Sequence, residues 1–514
     1  MSSTLHLPFI LTRANVPTTL YASVICYVFC VLVYQVHRAF FGPLSKFPGP
    51  KLRALSPIPE CLDLIRGTET QSVVALHQKY GDVVRVSPNT LSFIGTQHAW
   101  SDIYGFKKSG IPENYKDPEF YMKSFNGHYD MVRSPHPHHG RQRKIVSHGF
   151  SERALQEQEP LLKSYANKLR EFLIRKAASG ASVDIVLAFN FTTFDIMADL
   201  TFAESLHMLD NGENEKWVRN IFASIKFKNY IRAARAFSLF TRVLVTQLTT
   251  RMPSIKKRAA DHFKFTTDRV TKRLSHNPDR PDIFTRIIEK GGHPAAPNPV
   301  LPLGELQVIA AMFMLAGTET TATALSGLTY HLLRHPEWMK KLQDEVRSSL
   351  SGLEDMNLLT LTRLPILEAC IKEALRMFPP TPNGTPRVAS QDGVIVAGWR
   401  VPKGTQMFVH QLATYRAEHI FKHAAEFHPE RWMGDPEFKN DCPGALEPWT
   451  VGPRACIGKN LSWHEMRLLY ATVILYFDLE LDSESENWDD QDTYFIWDKP
   501  ALKCKVKPAK PLDD

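Results

Sequence analysis

The sequence predicts a mainly helical protein with a small β region, carried behind one apolar segment near its N-terminus. Three observations predict this. Leu306, Ile309, Phe313, Gly317, Thr321, Ala324, Leu328 and Leu332 recur every three to four residues, as one face of a single long helix requires. Strand character is confined to a few short runs bounded by Gly and Pro. From Arg13 to Arg38, no Asp, Glu, Lys or Arg interrupts the chain.

Within that gap Leu20–Val36 is almost wholly apolar. A helix rises about 1.5 Å per residue and needs roughly 20 residues to cross a bilayer core. A transmembrane span at about residues 18–36 meets that length. A cleaved signal peptide fits less well, because little positive charge precedes the run and His37-Arg38-Ala39-Phe40-Phe41 follows it in place of small residues. Arg38, Lys46, Lys51 and Arg53 lie after the span and only Arg13 before it, which places the bulk of the chain in the cytosol. Phe47-Pro48-Gly49-Pro50 cannot continue a helix and separates the anchor from the body. Gly81–Val86 and Leu91–Ile94, split by Ser87-Pro88-Asn89-Thr90, then read as a β-hairpin, with further strands at Val394–Val396 and Met407–Val409. The Pro/Gly-rich tract from Asn277 to Gly304 reads as a surface loop, because the composition does not change across it.

The 514 residues carry 62 Lys+Arg against 54 Asp+Glu, a net charge of +8, with 43% hydrophobic and 23% charged residues. That balance excludes a disordered tail protein, a collagen-like fibre and a multi-span transporter. No basic run with interleaved aromatics marks a nucleic-acid binder. The seven cysteines are widely spread without a C-x-x-C pair, which argues for a reducing compartment and against a disulfide framework or structural zinc. Length alone suggests about three domains.

Several chemistries are excluded by their missing motifs. No glycines stand at i, i+2 for a dinucleotide fingerprint, and Gly458-Lys459-Asn460 lacks the remainder of a P-loop. His464-Glu465 begins like a zinc-protease helix, but Leu468 replaces the second ligand. His136-Pro137-His138-His139 reads as a solvated loop, the proline breaking helical spacing. What remains gathers at Cys456, in Trp449-Thr450-Val451-Gly452-Pro453-Arg454-Ala455-Cys456-Ile457-Gly458. This cysteine directly precedes a helical pattern through Leu461, Leu468, Ala471 and Leu475, so free backbone N–H groups and the positive dipole end favour its thiolate. Gly452 and Gly458 let a flat, bulky partner approach the backbone.

That segment resembles the haem-binding loop of the cytochrome P450 monooxygenases, F-x-x-G-x-R-x-C-x-G, with Trp449 where the family usually has Phe. Three further motifs match in the family's order. Ala316-Gly317-Thr318-Glu319-Thr320-Thr321 resembles the oxygen-activating segment, Glu373-Ala374-Leu375-Arg376 is E-x-x-R, and Pro429-Glu430-Arg431-Trp432 is the P-E-R block. The resemblance implies the cytochrome P450 fold, with residues 1–46 as membrane anchor and linker and 47–514 as a single haem-containing domain. The cofactor it implies is haem b, with Cys456 as the axial iron ligand.

By the same resemblance Thr320 supports bound oxygen and Glu319 relays protons. Arg454, Arg387, Arg143 and His139 match positions that bind the haem propionates, and Glu373, Arg376 and Arg431 form a structural network. Arg141 and Lys144 are candidates for a basic docking face. No flavin or nicotinamide motif occurs, so electrons from NADPH are expected through a separate cytochrome P450 reductase, with cytochrome b5 a candidate second donor. Phe150-Ser151-Glu152-Arg153-Ala154-Leu155 and Asn190-Phe191-Thr192-Thr193-Phe194-Asp195-Ile196 resemble filamentous-fungal members such as trichothecene-type oxygenases. This implies a single-pass endoplasmic-reticulum monooxygenase acting on a lipophilic terpenoid, polyketide or alkaloid. Two alternatives stay open: a reductase-independent isomerase or dehydratase on the same fold, and a non-catalytic membrane haem sensor.

Overall fold

The computed structural model describes residues 16–509, apart from 96, 125, 213–215, 237–238, 277 and 292–299. Helices dominate, at 58% of the chain. The apolar N-terminal segment is the helix Val16–Phe40, the last of whose residues run into the turn before Lys46. Among the described residues three helices are long and apolar enough to cross a membrane, and burial separates them. Ile185–Phe202 is 89% buried and Leu303–Arg334 67% buried, whereas Tyr21–Phe40 is only 6% buried. The first two are apolar because they are core; the third leaves nearly all of its apolar surface exposed.

The main core joins the helices Glu152–Ala177, Ile185–Phe202, Glu319–Arg334, Pro365–Met377 and Lys459–Tyr476. Their starts are set locally. Ser151 Oγ accepts the Ala154 N–H at 3.3 Å, and Asp184 accepts from Val186 at 3.0 Å and Leu187 at 3.3 Å, satisfying N–H groups that the first turn leaves free. Glycine permits a close approach within this core: a Cβ on Gly327 would lie 2.8 Å from the Phe378 ring.

The continuous helix expected from Leu306 to Leu332 is instead two, Leu303–Ala316 and Glu319–Arg334, broken at Gly317-Thr318. The apolar period survives the break, which is why spacing alone did not reveal it. The Thr318 hydroxyl donates to Met314 O at 2.6 Å and Thr320 to Ala316 O at 2.7 Å, side-chain bonds that offer the backbone an alternative to the helical ladder. A Cβ on Gly317 would meet Met197 Sδ at 2.7 Å, so the break also lets Ile185–Phe202 pack close.

The β region is a five-stranded sheet in the order Val83–Ser87, Thr90–Phe93, Gln406–Val409, Arg387–Val388, Tyr115–Lys116. The expected hairpin pairs Val83 with Phe93. Thr90–Phe93 then runs parallel to Gln406–Val409, with Leu91 opposite Met407. Behind this sheet lies a second core of Phe93, Trp100, Ile103, Tyr104, Met407 and Val409. A three-stranded sheet of Val183–Asp184, Lys503–Pro508 and Phe477–Leu481 and two short hairpins complete the β structure. The tract 292–299, within the loop expected from Asn277 to Gly304, lies outside the described residues, while Ile283–Gly291 is helical.

One buried ion pair ties two of these helices together. Arg273, near the end of Pro253–Ser275, donates Nε to Asp282 at 2.5 Å and Nη2 at 2.8 Å, and their side chains are 4% and 0% exposed. Asp282 also accepts the Thr285 N–H at 2.7 Å, starting the helix Ile283–Gly291. Asp282→Asn strands a desolvated guanidinium and is expected to cost about 3–5 kcal/mol, read as a lowered unfolding midpoint. Adding Arg273→Met is expected to recover most of that loss; a double variant as unstable as the single one would contradict the ion-pair account.

Candidate active site

Cys456 lies in the turn between the short 3-10 segment Gly452–Arg454 and the helix Lys459–Tyr476. Its N–H donates to Trp449 O at 2.9 Å. Trp449 in turn donates Nε1 to Ser462 Oγ at 3.0 Å and packs on Trp463 with ring centroids 5.1 Å apart, fastening the loop to the helix it precedes. Gly452 is required for a different reason from the one its motif suggests. It sits at φ 81°, and a Cβ there would fall 2.1 Å from the Tyr104 carbonyl oxygen. The close partner is therefore the chain itself. At Gly458 a Cβ would reach only ordinary contact, 4.0 Å from Cys456 Sγ.

Cys456 is exposed on one side and packed by protein on the others. Burial pushes its thiol up, while the Gly458 N–H, Arg143 and Lys459 favour the thiolate. The backbone N–H at the helix start favours the thiolate as expected, but desolvation outweighs it, and a metal ion at the sulfur would supply the stronger pull.

The four residues matched to propionate positions converge around this loop. Arg143, on the helix His138–Val146, donates Nη1 to Ala455 O at 2.7 Å. His139 is buried on the same helix, which begins where a solvated loop was expected. Burial, followed by Arg454, Lys116 and Arg143, pushes it down to about 3, so it is a neutral donor at physiological pH. Arg454 donates Nη1 to Ser134 O at 2.7 Å and grips Glu113 through Nη2 at 2.8 Å and Nε at 3.3 Å. Arg387 is buried over the Tyr104 ring, 5.0 Å from its centroid, and donates to Pro386 O at 3.1 Å. Arg141 is no free docking charge: it pairs with Glu305 at 2.7 Å and joins two helices, while Lys144 is exposed.

The broken helix faces the Cys456 side through Phe150, whose ring lies 5.3 Å from Phe313 and within 3.9 Å of a Cβ built on Gly458. Ala316, at the break, is exposed although its helix is largely buried. Thr320 and Glu319 are not brought together. The Thr320 hydroxyl is spent on Ala316 O, and the buried Glu319 carboxylate pairs with Lys499, which also donates to Thr323 Oγ1 at 2.7 Å. Lys499 carried no sequence signal, and Glu319 is not an open relay in this conformation. Thr321 instead reaches Glu465, a buried carboxyl that burial pushes up to about 8 against the favourable Thr321 hydrogen bond.

Glu373, Arg376 and Arg431 form one buried network, all with side chains 0–1% exposed. Glu373 accepts from Arg376 at 2.7 and 2.9 Å, Arg431 at 3.1 Å, Trp432 Nε1 at 2.9 Å and the His428 N–H at 2.8 Å. Burial alone would raise this carboxyl; Arg376 and Arg431 outweigh it and hold it below its ordinary value. Arg376 spends its other N–H groups on Tyr415 O at 2.8 Å, Ala424 O at 2.6 Å and Glu426 O at 2.6 Å.

An accessible thiol, three arginines and a neutral histidine around its loop, and an exposed alanine at a break in an apolar helix are parts suited to a haem-thiolate protein. The family model described as Cytochrome P450 matches residues 51–506, and the chain belongs to that family. It is 43% identical to cytochrome P450 monooxygenase efuB of Hormonema carpetanum, over 98% of this chain and 99% of that one. It is also 36% identical to cytochrome P450 monooxygenase astJ of Aspergillus oryzae, over 92% and 94%, and 37% identical to the trichothecene C-4 hydroxylase of Trichoderma arundinaceum, over 92% and 93%. The chain is a cytochrome P450 monooxygenase of the fungal secondary-metabolite kind, and the family implies haem-thiolate iron. The residues present fit that group: a soft sulfur ligand is exposed, and Arg387 is buried with carbonyl and hydroxyl partners only, a donor set suited to the haem carboxylates.

Two predictions follow the charges. Glu373→Ala leaves Arg376 and Arg431 buried without their carboxylate and is expected to yield protein lacking haem, read by Soret absorbance per chain. Full haem content would refute the role. For Glu465 the raised value in the fold means that stability is complete below the unfolded value of about 4.3 and is lost as pH rises towards about 8. Glu465→Gln is therefore expected to stabilise the protein increasingly between pH 5 and pH 8, by roughly 3 kcal/mol over that range, and an equal effect at both pH values would contradict it.

Proposed function

We propose that this chain is an NADPH- and O2-dependent monooxygenase of a lipophilic small molecule in fungal secondary metabolism, a terpenoid, polyketide or alkaloid. Electrons reach it from a separate NADPH–cytochrome P450 reductase, with cytochrome b5 as a second donor. The observation that carries the reading is that Phe150 lies between the Cys456 loop and the broken helix, with Cys456 and Ala316 both exposed. Haem bound through Cys456 supplies the oxygen-activating chemistry of the family.

The chain's own residues bind, orient and move protons. Arg387, Arg143 and the neutral His139 bind the haem carboxylates, and Arg454 does so while holding Glu113. The network of Glu373, Arg376 and Arg431 fixes the core beneath the cofactor. Thr320 holds a proton at its hydroxyl beside the exposed Ala316. Glu319 passes protons to that hydroxyl when its pair with Lys499 opens, because the closed pair occupies the carboxylate. The apolar lining of the broken helix excludes water around these groups.

The exposed helix Tyr21–Phe40 supports a single-pass anchor in the endoplasmic reticulum, with residues 1–46 as anchor and linker and 47–514 as one cytosolic catalytic domain. Exposed Leu52, Ile58, Leu62 and Ile65 just after the anchor suit contact with the same bilayer.

Reconstitution with a fungal reductase tests the function. Candidate pathway intermediates are expected to stimulate NADPH oxidation and to acquire one labelled atom from 18O2. Product formed without NADPH and without label would identify an isomerase or dehydratase, and no turnover at all a sensor. Thr320→Ala is expected to cut product about tenfold or more while NADPH is still consumed and hydrogen peroxide released. Undiminished coupling would remove Thr320 from the mechanism.

A further inference from the structure

Two buried carboxylates are held in unlike ways. Glu373 has both oxygens engaged, by Arg376, Arg431, Trp432 and the His428 N–H. Glu319 is as deeply buried, its side chain 2% exposed, yet only Oε1 is engaged: Lys499 pairs with it and the Thr323 hydroxyl donates to it at 3.4 Å. Glu319 Oε2 is buried with no partner among the described residues. Lys499, its side chain 4% exposed, is the one cation paired with Glu319 among those residues. A half-engaged carboxylate is a poor structural element, because each buried polar atom left without a partner costs stability.

Lys499 reaches Glu319 from far along the chain. It follows the hairpin of Thr493–Tyr494 and Ile496–Trp497, whose single turn residue, Phe495, sits at φ 76°. A bulky side chain rarely adopts that value and keeps it only where the surroundings impose it. Phe495 meets Phe120 edge-on, with ring centroids 5.6 Å apart, and both line a cavity with Arg232. Arg232 belongs to the helix Lys216–Arg235. An earlier residue of that helix, Lys226, pairs with Asp498 and lies 5.2 Å from the Tyr494 ring centroid. Asp498 and Lys499 therefore hold in two directions, one to the helix at the cavity and the other to Glu319. Both members of the Lys226–Asp498 pair are half-exposed, so the tie is weak and a small displacement of the helix breaks it.

We propose that Lys499 is a positioning residue that keeps the Glu319 carboxylate out of proton transfer, and that Asp498 links this hold to the helix Lys216–Arg235. The proposal rests on the reading of Glu319 and Thr320 as a proton relay. While the helix is seated, Asp498 is held and Lys499 stays on Glu319. A lipophilic molecule entering the cavity displaces the helix, the tie to Lys226 opens, and Lys499 withdraws from the carboxylate. Glu319 then takes a proton from solvent and gives it to Thr320 Oγ1, whose own proton moves on to reduced dioxygen. Proton delivery thus waits for an occupant.

The test uses the haem-loaded full chain with a fungal NADPH–cytochrome P450 reductase and no organic substrate. Under those conditions a relay without its hold converts NADPH, a proton and O2 to NADP+ and hydrogen peroxide. Lys499→Met is expected to raise peroxide release about tenfold or more, and Lys499→Arg to keep it at the wild-type level. Lys226→Met is expected to raise it about threefold, and to add nothing in the Lys499→Met background. Lys499→Met combined with Glu319→Gln is expected to return to the wild-type level. Infrared spectra of the resting proteins give a readout without turnover: a protonated carboxyl band appears with Lys499→Met and disappears when Glu319→Gln is added. That band without extra peroxide would mean a purely structural ion pair and overturn the proposal, as would absence of the band. Lys226→Met at the wild-type level, or additive with Lys499→Met, overturns the link to the helix. Should Lys499→Met fail to hold haem, Lys499→Gln carries the same expectations. Unchanged coupling in Thr320→Ala, measured with substrate, would instead sink the relay reading, so the two failures are distinct.

Discussion

The structure depends on neutralising one buried carboxylate. Glu373 takes hydrogen bonds from Arg376, Arg431, Trp432 and the His428 backbone, and Arg376 spends its remaining N–H groups on the carbonyls of Tyr415, Ala424 and Glu426. The helix Pro365–Met377 thereby holds residues 415–431 in place, helped by the Arg416 Nη2 donation to Met377 O at 3.0 Å. From there the order is passed on. The Tyr415 hydroxyl accepts the Glu447 N–H at 3.1 Å, Trp100 donates to Ala445 O at 3.2 Å, and Trp449 closes the series against Ser462. The sulfur of Cys456 thus has a fixed position because a charge too costly to leave unpaired organises the backbone leading to it.

Buried charge is used differently on the two sides of the cleft. On the Glu373 side every charge has a partner, and the result is rigidity. On the Arg387 side the buried guanidinium has only carbonyls and a tyrosine hydroxyl as partners. Between them, the break at Gly317-Thr318 turns an apolar helix into a surface with hydroxyls bonded back to their own carbonyls. Glu319 and Glu465 flank that break with opposite solutions to desolvation, one pairing with Lys499 and the other keeping its proton.

The parts legible in the sequence are those in which partners lie close along the chain. The cysteine loop, Glu373 with Arg376, and the hairpin of Val83–Ser87 with Thr90–Phe93 are short-range features, whereas burial and not composition separates the exposed N-terminal helix from the buried apolar ones. The parts that were not legible join distant segments. Glu113 lies 341 residues from Arg454, and Lys499 lies 180 from Glu319, so neither pairing leaves a local pattern. The helix break was hidden for another reason: two residues that leave the helical ladder do not disturb a period of three to four. The role of Gly452 was misread because the backbone it must clear, Tyr104, belongs to another part of the chain.

The parallel pairing of Thr90–Phe93 with Gln406–Val409 sets an order of events in the cell. Thr90 and its partner Gln406 are 316 residues apart. At about 5–20 residues per second, roughly 15–60 s of synthesis separate them. During that interval the N-terminal hairpin presents an open edge. Arg387 and Lys116 acquire their places only when that strand arrives, so this side of the sheet forms in a chain that is nearly complete.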